Sequence, residues 1–411
     1  MEEDKPDNLR TNVIWSNVLG LLASWIIWNP FQNAMYTYWQ VFLYALGAMP
    51  AVITLIAAVS ELALSLARIP GGYLADKIGR RTLIVTMTYV IAISYLLMFF
   101  AKSWQEIFLI SIVMNIALFY QPALDALIAD SFPKRTRGRG FALLFTIPSI
   151  VTIASPYLAY LFISKHGIVE GTRRLFLLAF ISGLIAATIR VLSLKETISS
   201  GQRLSRDVFS SFVQDYRIVL GYIIKKMRIV VVISIFFSLA NGLIYLVQLF
   251  ALNYLGISEG YWAFIQTITY VLNLLLVYPC SFMVDKIGRK PPLIIGSLTA
   301  LMSIILIVGA PVGPIANLYI LISSGIASIS FSFFFSALPA IQADLLPSEY
   351  RGRGYAIIML MDSITLATGE ILSGILYDTL GPRSPFSLAA IICAILTIIS
   401  LKIPETIKSE E

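Results

Sequence analysis

Charge is what this sequence has least of. Only 13% of its 411 residues are Asp, Glu, Lys or Arg, while 58% are hydrophobic and the mean hydropathy is +0.83. Water-soluble domains run nearer a quarter charged, so the composition excludes a soluble fold and implies a polytopic membrane protein. Histidine occurs once, at His166, and cysteine twice, at Cys280 and Cys393. A single histidine with so few partners nearby builds no metal site, and cysteines inside apolar runs argue against a structural disulfide. No metal and no cofactor are expected. The stretch from Met1 to Pro6 lacks a basic run and a small-residue cleavage site, and reads as a cytoplasmic tail rather than a signal peptide.

A bilayer core about 30 Å thick needs roughly 20 apolar residues per helix. Twelve segments qualify, at 12–38, 49–75, 81–101, 106–130, 139–164, 173–195, 229–254, 260–284, 291–310, 315–345, 354–378 and 385–403. The fold class expected is therefore all-α, with twelve transmembrane helices. The net charge of +7 invites a nucleic-acid partner, but the placement of the basic residues rejects it. Of 30 Lys and Arg, 24 fall in the tails and the even-to-odd loops, five in the opposite loops, and Arg68 inside a segment. The positive-inside rule then puts both termini in the cytoplasm of a multi-pass protein of the cell membrane. The expected organisation is a tail (1–11), a six-helix bundle (12–196), a linker (197–228), a second bundle (229–404) and a tail (405–411). Within the linker, apolar residues from Val208 to Ile224 recur at helical spacing between Arg and Lys. That pattern fits an amphipathic helix on the inner leaflet or an ordinary soluble connector.

The two bundles are written alike. Asp130, Pro133, Arg137, Gly138, Arg139 and Gly140 lie over Asp344, Pro347, Arg351, Gly352, Arg353 and Gly354 at a constant offset. Asp76, Lys77, Gly79, Arg80 and Arg81 lie likewise over Asp285, Lys286, Gly288, Arg289 and Lys290. A repeat of this length in an apolar chain marks two homologous membrane bundles in series.

The run Gly72, Asp76, Lys77, Gly79, Arg80, Arg81 resembles the signature loop of the major facilitator superfamily, and the second copy matches it except that Ser281 replaces the first glycine. The resemblance covers residues 12–404. It implies two pseudo-symmetric six-helix bundles and a secondary active transporter working by alternating access. The Asp, Pro, Arg, Gly spacing and the run Pro404, Glu405, Thr406 are similar to the sugar-porter branch, with Leu194 to Thr197 as a weaker echo. Departures from that branch are the absence of a paired Gln ahead of Asn241 and of a carboxylate in the first segment. Read from charge alone, Asp76 and Asp285 close their segments beside the positive start of the next helix, and Arg80 and Arg289 offer a charge-assisted partner. With Arg81, Asp130, Arg137, Asp344 and Arg351 they form a candidate cytoplasmic gate, or plain positive-inside anchors.

Ionisable groups at bilayer depth are costly and functional by default. Glu61 and Arg68 lie in the second segment, Asp362 and Glu370 in the eleventh. At ~1.5 Å per residue, Arg68 and Asp362 sit at one shared depth and Glu61 and Glu370 at another. The superfamily fold implies that these two segments face each other. The repeat equivalents are Tyr270, Val277, Pro148 and Pro156, so one seam is charged and the other is not. Arg68 and Asp362 are the candidate gate pair, and Glu61 and Glu370 the candidate proton-coupling pair, since two desolvated carboxylates side by side hold a proton. The alternative is that each acid only satisfies a neighbouring helix.

Asn29, Gln32, Asn33 and Tyr36 share one face of the first segment beside Pro30, and Asn241, Tyr245 and Gln248 repeat the spacing in the seventh. Amides offer donor and acceptor together, which suits a small polar solute such as a sugar; the same faces also serve as helix-packing contacts. Phe331, Phe333, Phe334 and Phe335 offer a stacking wall or a lipid face. The expected activity is proton-coupled transport of a small polar organic solute, sugar-like or a similar metabolite, by a monomer whose partners are that small-molecule substrate, protons and the lipid bilayer. The alternatives are proton-driven metabolite or drug efflux and, in another class, an intramembrane transferase. The single histidine argues against an enzyme.

Overall fold

A computed structural model describes residues 7–132, 137–197, 208–347, 349–403 and 405. In a bilayer every backbone N–H and C=O must be satisfied within the protein, and among the described residues every regular element is a helix. The first unit of the chain contains α1 (Asp7–Tyr36), α2 (Trp39–Ala45), α4 (Arg80–Phe100), α5 (Trp104–Ala117), α6 (Gln121–Asp130), α7 (Arg137–Thr152) and α8 (Ser155–Ser193). The second contains α9 (Val208–Lys226), α10 (Arg228–Leu243), α11 (Val247–Leu249), α12 (Glu259–Lys286), α13 (Lys290–Gly309), α14 (Ala316–Leu345), α15 (Arg351–Leu380) and α16 (Ser384–Ser400). Between α2 and α4 in sequence runs α3 (Pro50–Ile78).

Nine described spans are long and apolar enough to cross a membrane. One of them, Gly140–Ser193, is 54 residues long and is interrupted at Gly167, whose φ of 76° leaves the helical region, so it holds two crossing lengths. The 30-residue α1 and the shorter apolar α16 complete the twelve expected segments. The chain is a multi-pass membrane protein.

Two segments are less regular than their hydropathy implies. A 3-10 turn at Leu118–Tyr120 separates α5 from α6. The seventh segment stops at Leu243 and resumes as α11 and a π-helical turn, Phe250–Tyr254. The single face expected for Asn241, Tyr245 and Gln248 is corrected accordingly. The rule that sets residues four and seven apart on one face requires an unbroken helix, and residues 244–246 form turns.

The units comprise Met1–Gly47 with Ala63–Arg203, and Ala48–Leu62 with Leu204–Glu411. The expected division after residue 196 is thus amended at 48–62, which belongs with the later helices. The physical reason lies in Gly374, where an added Cβ would stand 2.5 Å from the Ala51 Cα. Beside it, Asp378 Oδ2 accepts the Ala51 N–H at 2.9 Å, capping one of the orphan donors at the start of α3.

In the first unit α8 packs on α1 and α4. Asn17, fully buried, donates to Ser131 Oγ and Lys195 O and accepts from the Lys195 N–H. In the second unit α10, α12, α13, α14 and α16 share a core of Ile233, Leu293, Phe333, Phe334, Ile341 and Leu396. The linker helix α9 turns Val219, Ile223 and Met227 onto Val231, Leu346 and Ile358, and Tyr222 Oη donates to Leu345 O at 3.0 Å. Its apolar side therefore packs on protein, leaving Ile218 and Ile224 exposed; the earlier part of the linker, 198–207, lies outside the described residues.

The approach of α10 to α15 is likewise a backbone contact. A Cβ on Gly242 would lie 2.7 Å from the Glu370 N and 2.8 Å from the Gly369 Cα, so the two backbones touch as small-residue pairs allow in membranes. Ser373 Oγ also donates to Leu243 O at 2.8 Å, satisfying a carbonyl where α10 ends. Gly242→Ala and Gly369→Ala are each expected to cost about 1–3 kcal/mol through forced separation of these helices, read as a lowered melting midpoint of the detergent-purified protein.

Candidate functional site

The duplicated loops build two matching clusters, one in each unit. In the first, Gly79 adopts φ 100°, Arg80 pairs with Asp130 and donates to Thr197 Oγ1 at 3.2 Å, and Arg81 donates to the carbonyls of Val191 and Leu194, both at 2.6 Å. In the second, Gly288 adopts φ 89°. Arg289 donates to Asp285 Oδ1 at 2.6 Å and to Asp344 Oδ2 at 3.4 Å. Burial works against its charge, but the Asp285 hydrogen bond and the Asp344 charge outweigh that and hold the guanidinium above its usual range. Arg351 donates to Ala343 O. The side chains of Asp76 and Arg137 lie outside the described residues.

Each cluster contains an acid that the sequence analysis assigned no role. Glu196 Oε2 accepts the Arg81 N–H at 3.0 Å. Glu405 accepts the N–H groups of Arg289 and Lys290 at 2.8 and 3.0 Å. Both carboxylates thus sit on the positive start of a helix, α4 or α13. A Cβ at Gly79 or Gly288 would meet these carboxylates at 2.7 and 2.6 Å, so a side chain there would push the capping carboxylate aside besides straining the positive φ. The signal was present: Glu196 and Glu405 stand at the same offset as the loops they cap.

A second residue escaped the sequence. Arg190, included above in the count of loop cations, lies inside α8 and is 0% exposed. Its Nε donates to Ser24 Oγ at 3.1 Å and its Nη1 to Thr88 Oγ1 at 2.8 Å. The guanidinium lies 5.7 Å from the Trp28 ring centroid and 6.0 Å from that of Trp25. No carboxylate is hydrogen-bonded to it, and Nη2 has no partner. The indole faces supply the counter-field, worth about 2 kcal/mol when desolvated.

On α1 the helix continues through Pro30, so Asn29, Gln32, Asn33 and Tyr36 do share a face. That face is partly open while Trp28, Ala34 and Met35 are buried. Asn33 Nδ2 donates to Asn29 O at 2.9 Å. In the second unit Asn241 is exposed and donates to Phe237 O, and it lines a cavity of about 70 Å³ with Ser303, Ser330 and Phe331. That volume holds water, not a metabolite. Gln248, by contrast, is buried. The phenylalanines of α14 divide: Phe333 and Phe334 are core, with Phe334 stacked on Phe237 at 4.0 Å, while Phe331 and Phe335 stack on each other at the exposed surface.

The interior charges find neutral partners within their own units. Arg68 donates through Nε and Nη2 to Gln121 Oε1 at 3.0 and 2.6 Å. Asp362 accepts from Ser234 Oγ at 2.6 Å. Glu61, in the stretch of α3 that belongs to the second unit, accepts from Ser363 Oγ at 2.7 Å. Glu370 is 5% exposed, lies within electrostatic reach of Glu61, and has no hydrogen-bond partner for Oε2. Among the described residues no group of three or more His, Cys, Asp or Glu comes together.

Residues 16–270 and 230–410 match the family model described as Major Facilitator Superfamily. An uncharacterised MFS-type transporter of Methanocaldococcus jannaschii is 24% identical over 368 residues, which is 88% of this chain and 91% of its own. A solved POT family transporter in complex with 5-aminolevulinic acid superposes with a TM-score of 0.75 at 16% identity, over 93% of this chain and 95% of that one. A D-xylose-proton symporter superposes at 0.72 and 17% identity, over 98% and 99%. Peptide-type and sugar-type structures thus resemble this fold about equally, and the sugar-porter branch is not singled out.

Arg190 has a direct test. Arg190→Met keeps the side-chain volume without the charge, and Ser24 and Thr88 retain the backbone acceptors Leu21 O and Ile84 O. An unchanged or raised melting midpoint is expected for it, whereas Arg190→Ala leaves a cavity and is expected to lose about 2–5 kcal/mol.

Proposed function

The chain belongs to the Major Facilitator Superfamily, and on that premise we propose that it is a proton-coupled secondary transporter. It carries a small polar organic solute across the cytoplasmic membrane by alternating access. As a member of that family it is a transporter and not an enzyme. The observation that carries the coupling is the buried Glu370 with an unpartnered oxygen beside Glu61. Two carboxylates in an apolar bundle repel each other unless a cation neutralises one of them, and alternate binding and release of that cation is what coupling requires.

The other residues take roles around this pair. Asn29, Gln32, Asn33 and Tyr36 on the open face of α1, and separately Asn241 and Tyr245 in the second unit, supply polar contacts for the solute. Amides recognise hydroxyl, amine and carbonyl groups alike, which fits both the 5-aminolevulinic acid bound to one solved neighbour and the D-xylose for which the other is named. Arg68 and Asp362 act as gate residues that exchange their neutral partners during the cycle. The loop clusters, with Asp76, Arg80, Arg81, Asp130 and Arg137 in one and Asp285, Arg289, Asp344 and Arg351 in the other, form and break with the cytoplasmic gate. The distribution of Lys and Arg supports cytoplasmic termini, and a monomer suffices for this cycle.

Counterflow in proteoliposomes against D-xylose, 5-aminolevulinic acid and a dipeptide tests transport itself. With whichever solute exchanges, uptake by the native protein is expected to rise about tenfold under an inward proton gradient. Glu370→Gln is expected to keep counterflow and lose that pH response. An unchanged pH response in Glu370→Gln removes this pair from coupling.

A further inference from the structure

The membrane interior of the second unit contains three carboxylates, Glu61, Asp362 and Glu370, and no lysine, arginine or histidine. Asp362 is occupied by Ser234. The other two acids converge by helical register. Thr54 and Ala51 of α3 lie against Gly374 of α15, and the two helices run antiparallel here. Seven residues along α3, Glu61 therefore comes opposite residue 367, midway between Ser363 and Glu370 on one face of α15. That face is buried: Ser363, Ala367 and Glu370 are 7%, 1% and 5% exposed. Among the helices packed on α15, α10 has only Arg228 at its start, α16 has no charge, and α9 carries Asp215, Arg217, Lys225 and Lys226. On α3 the nearest base to Glu61 is Arg68, two turns along and held by Gln121.

The donor set of this pocket is made of oxygens alone. Glu61 offers two, one of them held by the Ser363 hydroxyl. Glu370 offers Oε2 without a partner. A proton on a carboxyl group needs one acceptor and no third side chain, whereas a hard metal cation needs several converging oxygens. The Ser363 hydroxyl, rotated away from Glu61, presents a lone pair to the same point. Calcium takes six to eight oxygens and magnesium keeps its own waters, and three side chains at bilayer depth supply neither shell.

We propose that Glu61, Ser363 and Glu370 form a binding site for a monovalent metal cation of the size of Na⁺. The site rests on the reading of Glu61 and Glu370 as the coupling pair, and adds that the coupling ion competes with the proton for the same oxygens. No covalent step is involved: the ion enters, Ser363 exchanges its donated hydrogen bond for a coordination bond, and the carboxylates lose their mutual repulsion.

The test is a melting series of the full-length, detergent-purified protein at pH 8, with NaCl replacing choline chloride at constant ionic strength. Bound ion raises the melting midpoint by mass action, so a saturable rise of a few degrees with Na⁺ is expected, and a smaller one at pH 6, where protons fill the oxygens. Ser363→Ala keeps both carboxylates and is expected to shift half-saturation about tenfold upward, the loss of one ligand. Glu370→Gln is expected to abolish the rise. Equal melting in Na⁺ and choline, or a Ser363→Ala titration identical to the native one, overturns the site. The two readings separate cleanly. Counterflow that loses its pH response in Glu370→Gln, without any Na⁺ effect on melting, keeps proton coupling and removes the metal site. Stabilisation by Na⁺ in a protein whose counterflow ignores pH does the reverse.

Discussion

An ion without water must find its solvation in the protein, and this constraint organises the molecule. Three interior charges are met by neutral groups: Arg68 by Gln121, Asp362 by Ser234, Arg190 by two hydroxyls and two indoles. A full ion pair at depth costs several kcal/mol per ion in desolvation and locks both members. Hydroxyls and amides solvate a charge more weakly and release it more readily. Side chains that must change partners are better held in this way.

The loop clusters apply the same economy where water is close. Each couples an arginine to an acid from a different helix and places a second carboxylate on the N–H groups at the start of the helix that the arginine opens, beside one glycine. Isolated exposed ion pairs contribute little. Here the arginine side chains are only 14% and 13% exposed, and the helix-terminal N–H groups give the second carboxylate a hydrogen-bond partner. Gly79 and Gly288 are fixed twice over, by their dihedral and by the carboxylate against them.

Much of this was legible in the sequence. Twelve apolar runs became helix because a hydrophobic run of that length in lipid has no other backbone solution. The repeat revealed the loop clusters, and depth counting brought Glu61 and Glu370 to one level. What stayed hidden depended on local geometry. Arg190 looked like a loop cation because hydropathy cannot distinguish the last turn of a helix from its flank, and its indole partners Trp25 and Trp28 lie in a segment distant in sequence. The break at residues 244–246 leaves no proline or glycine as a marker, so Gln248 was placed on the wrong face. The sorting of Ala48–Leu62 with the later helices rests on Gly374, whose missing side chain carries no signal in a hydropathy scan.

Backbone contact between α10 and α15 has a mechanical consequence. Side chains in an interface absorb strain by hopping between rotamers, but Gly242 and Gly369 have none to hop. The junction behaves as a rigid coupling rather than a cushion. Asn241 borders one side of it and Glu370 the other, one peptide bond from each glycine. A displacement of either residue is therefore transmitted to the other almost undamped, over a path too short for the surrounding lipid to dissipate it.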